Sequence, residues 1–353
     1  MKLDRKGRDV LTELTNVVKI GMISFAHGHA AGFYYQLRRL PGVKVTGIAD
    51  ENRARVEPYL QQDAEIRYFA DYRELLSSGC DAVVICSENV HHAELTISAA
   101  EAGKHVLCEK PLGLNVEEME QMVAACEKNG VRLMTAFPCR FLPAVVQAKA
   151  AIDRGEIGEV VAVKGSNRGT MPGGWFIDPE LSGGGALLDH SVHVMDLLNW
   201  MLNSPVTEVY AEAATLFHEI PVDDAGILHV KFASGAFASI DTSWSRTKSF
   251  PYWGDVTLEI VGTNGLLSVD AFGQKSEVYS DERMKVQWSH WGDDMNRSLV
   301  QAFIDAIRSN REVPITGMDG LRSAAVAAAA YESVRRGEPV TLDESGRVKL
   351  SRK

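Results

Sequence analysis

An aspartate and a histidine four residues apart give the first indication of chemistry in this 353-residue sequence. Asp189 and His193 lie in an apolar-periodic segment whose pattern predicts a helix through Met201, so both side chains share one helical face. A carboxylate beside an imidazole fixes the tautomer and raises the basicity of the imidazole, as a general base requires. Pairs with this spacing also occur on ordinary helix surfaces. A metal site with His190 as a third ligand is another alternative, but no thiolate or further histidine cluster accompanies it.

The elements that must position these residues follow two successive patterns. From residue 16 to 138, continuous apolar runs alternate with helical segments. This succession predicts a doubly wound parallel sheet of the Rossmann type, with its ligand at the carboxyl ends of the strands. From residue 139 to 353, longer alternating strands predict an α+β domain with a large, mostly antiparallel sheet. Residues 1–15 form a polar lead-in to which the sequence assigns no role.

The loop after the first predicted strand is a candidate nucleotide site, because a helix N-terminus there could hold a pyrophosphate. Its candidate contacts are Ser24, Phe25, Ala26 and His29. All but the phenylalanine stand where a dinucleotide fingerprint has glycine. Asp50 ends the second predicted strand and could accept both ribose hydroxyls of an adenosine. Without further motifs, an ordinary strand–helix turn explains the loop equally well, and a helix N-cap explains Asp50.

Two further motifs carry a resemblance to a known family. Glu109-Lys110-Pro111 follows a predicted buried strand, and three consecutive glycines, Gly183 to Gly185, precede the Asp189/His193 pair. With these motifs the chain resembles the Gfo/Idh/MocA family of nicotinamide-dependent oxidoreductases from about Val18 to Leu342. The resemblance implies that the enzyme is a dehydrogenase acting on CH–OH groups.

Two loops resemble family motifs with departures. The segment Ser87–His92 is similar to the family's Thr-Pro-Asn-x-x-His loop, from which Ser87 and Glu88 depart. The segment Phe137–Phe141 is similar to Asn-Arg-Arg-Phe; it keeps Arg140, whereas Pro138 and Cys139 depart. The glycine loop departs most, which bears on the geometry of the cofactor site.

The resemblance assigns roles to particular residues. It implies that Lys110, Asp189 and His193 are catalytic: His193 accepts the hydroxyl proton, oriented by Asp189, and Lys110 stabilises the developing alkoxide. In addition to the loop residues, it implies cofactor contacts by Asp50, Ser87, Asn89, His92, Glu109 and Lys110. It places the candidate substrate contacts at Arg140, Asn167, Arg168, Trp175 and His193. No metal ligand is expected, and a cis peptide bond is expected before Pro111.

The cofactor and partners can also be anticipated. No arginine directly follows Asp50, although Arg53 is close, so we expect NAD in preference to NADP. The net charge of −10 disfavours nucleic acid and anionic membranes as partners. The sequence has no membrane-spanning apolar run, no signal-peptide core at its start and no CxxC among five cysteines, so we expect a cytoplasmic protein. The resemblance implies a homodimer or homotetramer.

The expected function is hydride transfer between NAD and a secondary hydroxyl of a sugar, cyclitol or related polyol. One alternative is a family glycosidase or lyase that keeps NAD bound and recycles it. Another is a non-catalytic regulator that binds NAD(H). The presence of Lys110, Asp189 and His193 argues against the regulator, whereas the altered glycine loop favours it.

Overall fold

The computed structural model describes residues 17–349, so the predicted lead-in at residues 1–15 lies outside the described residues. The described chain forms two compact units. The first takes the residues up to Leu112, together with Met119–Ala136 and Asn296–Gly317. The second takes Gly113–Glu118, Phe137–Met295 and the residues from Met318 onward.

The first unit contains a six-stranded parallel sheet with strand order β3-β2-β1-β4-β5-β6. Its strands are β1 (Val18–Ile23), β2 (Val43–Ala49), β3 (Arg67–Phe69), β4 (Ala82–Ile85), β5 (His105–Cys108) and β6 (Leu133–Thr135). Every residue of β4 is buried, because both faces of a parallel sheet are covered. The strand order reverses between β1 and β4, which places a ligand crevice at their carboxyl ends. The predicted doubly wound sheet is confirmed.

Helices accompany both sheets. In chain order they are α1 (His29–Leu37), α2 (Arg53–Leu60), α3 (Tyr72–Leu76), α4 (His92–Glu101), α5 (Val116–Lys128), α6 (Pro143–Asp153), α7 (Pro179–Ser182), α8 (Ala186–Leu202), α9 (Met295–Ser309) and α10 (Gly317–Arg336). Although α9 comes late in the sequence, nearly all of it belongs to the first unit, where its Arg308 donates to the Pro41 carbonyl at 2.6 Å. Within residues 17–349, no helix combines the length and apolar character needed to cross a bilayer.

The second unit contains a seven-stranded sheet with strand order β12-β11-β7-β10-β9-β8-β15. Its strands are β7 (Val160–Arg168), β8 (Val206–Ala214), β9 (Ala225–Phe232), β10 (Phe237–Ser243), β11 (Thr257–Gly262), β12 (Leu266–Asp270) and β15 (Val340–Thr341). Neighbouring strands are antiparallel except β7 and β10, so the predicted mostly antiparallel sheet is confirmed. A separate hairpin is formed by β13 (Lys275–Ser280) and β14 (Lys285–His290).

Helix α8 packs against the inner face of this sheet. Val194, Leu197 and Leu198 are fully buried in the core of the second unit. Val194 packs so closely on β7 that a Cβ at Gly165 would lie 2.8 Å from its side chain. A helix buried over most of its length positions its polar residues rigidly, and Asp189 and His193 lie on this helix.

Candidate functional site

The carboxylate of Asp50 is held in place at the end of β2 by main-chain amides. Its Oδ2 accepts the Phe25 amide at 2.7 Å, and its Oδ1 accepts the Asn52 amide at 2.8 Å. The first bond joins the loop after β1 to the end of β2, because neighbouring parallel strands bring their carboxyl ends to one edge. Asp50 therefore has a fixed orientation at the crevice.

A cavity of about 350 Å³ opens at this edge of the first unit. Its lining includes Ser24, Asp50, Tyr72, Ser87, Glu88 and His91. These residues follow β1, β2, β3 and β4, where a doubly wound sheet binds nucleotides. The position and the acidic group at Asp50 fit the adenosine part of a dinucleotide.

Ser24 takes over the conformational role of a fingerprint glycine. Its φ of 65° lies in the left-handed region, and its hydroxyl oxygen accepts the Ala26 amide at 3.1 Å. The adjacent Phe25 ring packs against the rings of Tyr59 and Tyr34, with centroids 4.6 and 6.1 Å away. The main chain of the loop, and not the Phe25 ring, is therefore the part available to a pyrophosphate.

Sequence reasoning missed Arg55, which contacts three of the residues that line this cavity. Its Nη1 lies 3.4 Å from both Asp50 oxygens and 3.5 Å from the Ser24 hydroxyl, and its Nη2 lies 3.9 Å from Glu88. Arg53, the arginine singled out from the sequence, pairs with Glu57 at 3.1 Å instead. Residues two apart on a helix do not face the same side, and this periodicity could have separated the two arginines.

Glu109 is buried beside two imidazoles of the glycine-loop segment. Its Oε1 lies 3.0 Å from His29 Nδ1 and 3.8 Å from His27 Nδ1, and its Oε2 accepts the Lys110 amide at 3.1 Å. Burial opposes ionisation, but His27, His29 and Lys110 outweigh it and hold the pKa of Glu109 well below its usual range. Lys110 is only 4% exposed, and the peptide bond to Pro111 is cis, as expected.

His92 connects two loops of the first unit. Its Nδ1 lies 2.8 Å from the Pro111 carbonyl and its Nε2 lies 3.3 Å from the Ser87 carbonyl. Burial lowers the pKa of His92, although both carbonyls favour its protonated form. Asn89 is also buried and begins a short 3₁₀ turn, while the Ser87 hydroxyl donates to the Glu88 carbonyl at 3.0 Å. These contacts fix the loop that follows β4.

In the second unit, two ring nitrogens contact the Asp189 carboxylate. The indole Nε1 of Trp244 donates to Asp189 Oδ2 at 3.2 Å, and His190 Nε2 lies 3.3 Å from the same oxygen. His193 lies one turn further along the continuous helix α8, buried with the Phe137 ring 6.0 Å away. Sequence reasoning missed Trp244, because nothing near this residue in the sequence identifies its partner.

The entry to α8 is fixed by Asp223. Its two carboxylate oxygens accept the amides of Gly185 at 3.1 Å and Leu187 at 2.7 Å, and the Tyr331 hydroxyl donates to Oδ1 at 2.7 Å. A Cβ on Gly185 would lie 1.9 Å from the Asp223 carbonyl oxygen, so this position requires glycine. Gly183 ends α7 in a left-handed conformation with a φ of 75°. The glycine run therefore shapes the start of the helix that carries Asp189.

Three of the predicted substrate residues are held by carboxylates or main-chain groups. Arg140 is buried and pairs with Asp196, at 2.6 and 2.7 Å, and with Asp319, at 3.2 Å. Arg168 Nη2 pairs with Asp255 at 3.1 Å. Asn167, which is fully buried, donates to the Asp255 main-chain carbonyl at 2.8 Å.

Trp175 occupies a different setting from these three residues. It lies in the short 3₁₀ turn Gly174–Ile177 and is partly exposed. Its ring stacks on Phe176 with centroids 3.9 Å apart and an interplanar angle of 22°. A partly exposed, stacked aromatic surface is suited to packing against an apolar face of a sugar ring.

Comparisons with known proteins match both units. A family described as "Oxidoreductase family, NAD-binding Rossmann fold" matches residues 15–137, and the GFO/IDH/MocA C-terminal domain matches residues 145–268. The chain is 31% identical to the uncharacterised oxidoreductase YrbE of Bacillus subtilis, over 95% of this chain and 98% of that protein. It is 29% identical to the scyllo-inositol 2-dehydrogenase (NAD(+)) of the same organism, over 88% and 93%.

A solved structure shows the same fold. The crystal structure of GenD2 from gentamicin A biosynthesis, in complex with NAD, superimposes with a TM-score of 0.86 at 24% identity. The match covers 94% of this chain and 97% of that one.

Proposed function

Because the chain belongs to the Gfo/Idh/MocA oxidoreductases, we propose that it transfers a hydride between NAD and a secondary hydroxyl of a cyclitol, sugar or related polyol. The observation that carries this proposal is the cavity at the carboxyl ends of β1, β2 and β4, with the Asp50 carboxylate fixed beside it. A doubly wound sheet binds a dinucleotide at such a crevice.

The catalytic roles follow from the chemistry of three side chains. When bound, the nicotinamide supplies the hydride acceptor. His193 accepts the proton of the substrate hydroxyl. The negative charge of Asp189, whose carboxylate is fixed by the Trp244 indole, favours the protonated form of His193. Lys110 is almost fully buried, so its charge is weakly screened and stabilises the alkoxide that develops as the proton leaves.

We assign the preference for NAD over NADP to the charges around Asp50. Asp50 and Glu88 both line the cavity, and two carboxylates repel a 2′-phosphate. Arg55, which contacts Asp50 and approaches Glu88, offsets part of this repulsion. We therefore propose that the chain binds NAD more tightly than NADP without excluding NADP.

The relatives support the proposed substrate class. The 29% identical relative is named for scyllo-inositol and NAD, which makes cyclitols the first candidates. The test is a panel of cyclitols, sugars and polyols with NAD and with NADP, followed at the absorbance band of the reduced nicotinamide. We expect net reduction of NAD with at least one cyclitol or sugar. Nucleotide binding without net reduction across the panel would contradict the dehydrogenase and favour a recycled cofactor or a regulator.

The outer face of the second unit's sheet supports self-association. The strand register aligns Phe237, Ala162 and Val261 across β10, β7 and β11. Phe237 and Val261 are 53% and 44% exposed, and Ile227 on β9 adds an apolar side chain that is 49% exposed. We propose that a second copy of the chain covers this row in a homodimer or homotetramer. Light scattering at micromolar concentration should give a multiple of the chain mass, and a monomer would exclude this assembly.

A further inference from the structure

Two imidazoles from the segment after β1 and a carboxylate from the end of β5 converge within the first unit. One ring nitrogen of His27, one of His29 and a Glu109 carboxylate oxygen all lie within 4.8 Å of one another. The three residues come from the loop after β1, the start of α1 and the end of β5. His27 and Glu109 are buried, and His29 is partly exposed.

The separations match those of ligand atoms around one metal ion. Bonds of about 2.0 to 2.1 Å at tetrahedral angles place two ligand atoms roughly 3.3 Å apart. The observed separations from Glu109 Oε1 are 3.0 Å to His29 Nδ1 and 3.8 Å to His27 Nδ1. One separation is longer and the other shorter than the tetrahedral value, each by about 0.3 to 0.5 Å.

The surroundings of the three residues support a built site. The main-chain amide of His27 donates to the Cys86 carbonyl at 2.9 Å, which anchors the loop to the end of β4. Glu109 Oε2 accepts the Lys110 amide at 3.1 Å, which leaves Oε1 directed at the imidazoles. Hydrogen bonds of this kind orient metal ligands in proteins.

From this geometry we propose that His27, His29 and Glu109 bind a divalent transition-metal ion of the Zn²⁺ class. Two imidazoles and one carboxylate are the ligands of three-residue zinc sites, which keep a further position open. The open side is that of His29, whose side chain is 32% exposed. An oxygen ligand, from water or from an anion at the N-terminus of α1, completes the coordination. The site does not depend on the proposed dehydrogenase activity.

Metal binding requires that two hydrogen bonds be exchanged for metal–ligand bonds. His27 Nδ1 accepts the His29 amide at 3.1 Å, and His29 Nδ1 shares a proton with Glu109. The metal displaces that proton and takes the His27 lone pair. Two hydrogen bonds are lost and three metal–ligand bonds are gained. Because protons compete with the metal for the ligand atoms, metal affinity must fall as the pH falls.

Metal content of the untagged protein tests the site. The chain is stripped with a chelator, equilibrated with Zn²⁺ or Co²⁺ and passed through gel filtration, and the retained metal is measured by mass spectrometry. We expect one ion per chain in the wild type and a loss of affinity of about tenfold or more in His29→Asn. His229→Asn is the matched control, because His229 is exposed on β9 in the second unit, and it should retain the ion.

X-ray absorption of the zinc-loaded protein identifies the ligands. We expect a first shell of nitrogen and oxygen at about 2.0 to 2.1 Å with imidazole scattering beyond it. Failure to retain metal at micromolar Zn²⁺, equal retention in His27→Asn and His29→Asn, or a sulfur neighbour would each overturn the site. His29 is partly exposed, so its variant should fold, which circular dichroism checks. Net NAD reduction in a metal-free wild type would leave the proposed dehydrogenase intact while the metal site fails.

Discussion

The two units hold their polar residues in different ways. At Asp50 and His92 of the first unit, main-chain groups hold the polar side chains: amides fix Asp50, and carbonyls fix His92. At Asp189 and Arg140 of the second unit, other side chains do so: Trp244 and His190 contact Asp189, and Asp196 pairs with Arg140.

This difference has consequences for substitution. A site built from the main chain at strand ends survives changes of side chain, which is why Ser24 can replace a glycine once it adopts a positive φ. A site built from particular side chains does not tolerate their substitution in this way. We therefore expect single substitutions in the second unit to cause larger losses than those in the first.

Removing the proposed base should have the largest effect. His193→Asn keeps a polar side chain of similar size but cannot accept the hydroxyl proton at neutral pH. We expect turnover to fall by about a hundredfold or more, with NADH affinity nearly unchanged. Steady-state kinetics and calorimetry measure the two quantities. Unaltered turnover would remove His193 from the mechanism.

Breaking the buried ion pair of the second unit should come next. Asp196→Asn leaves Arg140 without its bidentate partner, although Asp319 remains 3.2 Å away. We expect the free energy of unfolding to drop by about 3 kcal/mol, as for other buried charges that lose a partner. The control is Glu312→Gln in the first unit, which breaks an exposed pair with Arg132 and should cost less than about 1 kcal/mol. Equal losses in the free energy of unfolding, measured with urea, would contradict the proposed difference between the two units.

Loss of the indole donor should have a smaller effect on turnover than loss of the proposed base. Trp244→Phe keeps an aromatic ring at this buried position but removes the indole N–H that donates to Asp189. We expect kcat to fall by about tenfold, with KM little changed and the acidic limb of the pH profile displaced, because the proposed role of Asp189 is to orient the base. A change in stability with no change in the pH profile would reduce Trp244 to a packing residue.

Substitutions around Asp50 should change the preference between NADH and NADPH more mildly, because the main chain of the loop after β1 is unchanged. Asp50→Ala removes the repulsion of a 2′-phosphate and should narrow the gap between NADH and NADPH affinities by roughly tenfold. Arg55→Ala removes the opposing charge and should widen it. Calorimetry with both nucleotides decides. Tighter NADPH binding by the wild type would reverse the role of Asp50.

The pH dependence of stability should show the smallest effect. Burial lowers the pKa of His92, so the unfolded chain binds this proton more readily than the folded chain. The stabilisation is complete above the unfolded pKa of about 6.5 and is lost as the pH falls toward the folded value. We expect His92→Gln to flatten the rise of Tm between about pH 5 and pH 7. His105, whose pKa burial also lowers, should keep part of the slope; an identical slope in the variant would exclude His92.

Local sequence patterns predict most of the fold but only part of the site. Continuous apolar runs predicted β1 and β4, and helical spacing predicted α8, because these signals arise from burial. The exposed β14 has no such signal and was missed. The partners of α8 were missed as well: Trp244 lies 55 residues from Asp189, and Tyr331 lies 108 residues from Asp223. Contacts over such distances are set by the tertiary fold, which a single sequence does not display locally.

Deuterium transfer tests the proposed reaction most directly. A cyclitol deuterated at the carbon that bears the reacting hydroxyl is incubated with the protein and NAD, and the released nicotinamide is analysed by mass spectrometry. We expect one deuterium in each NADH formed by the wild type, and the same label at a much lower rate with His193→Asn. Unlabelled NADH, or no NADH from any cyclitol or sugar that binds by calorimetry, would contradict hydride transfer by this chain.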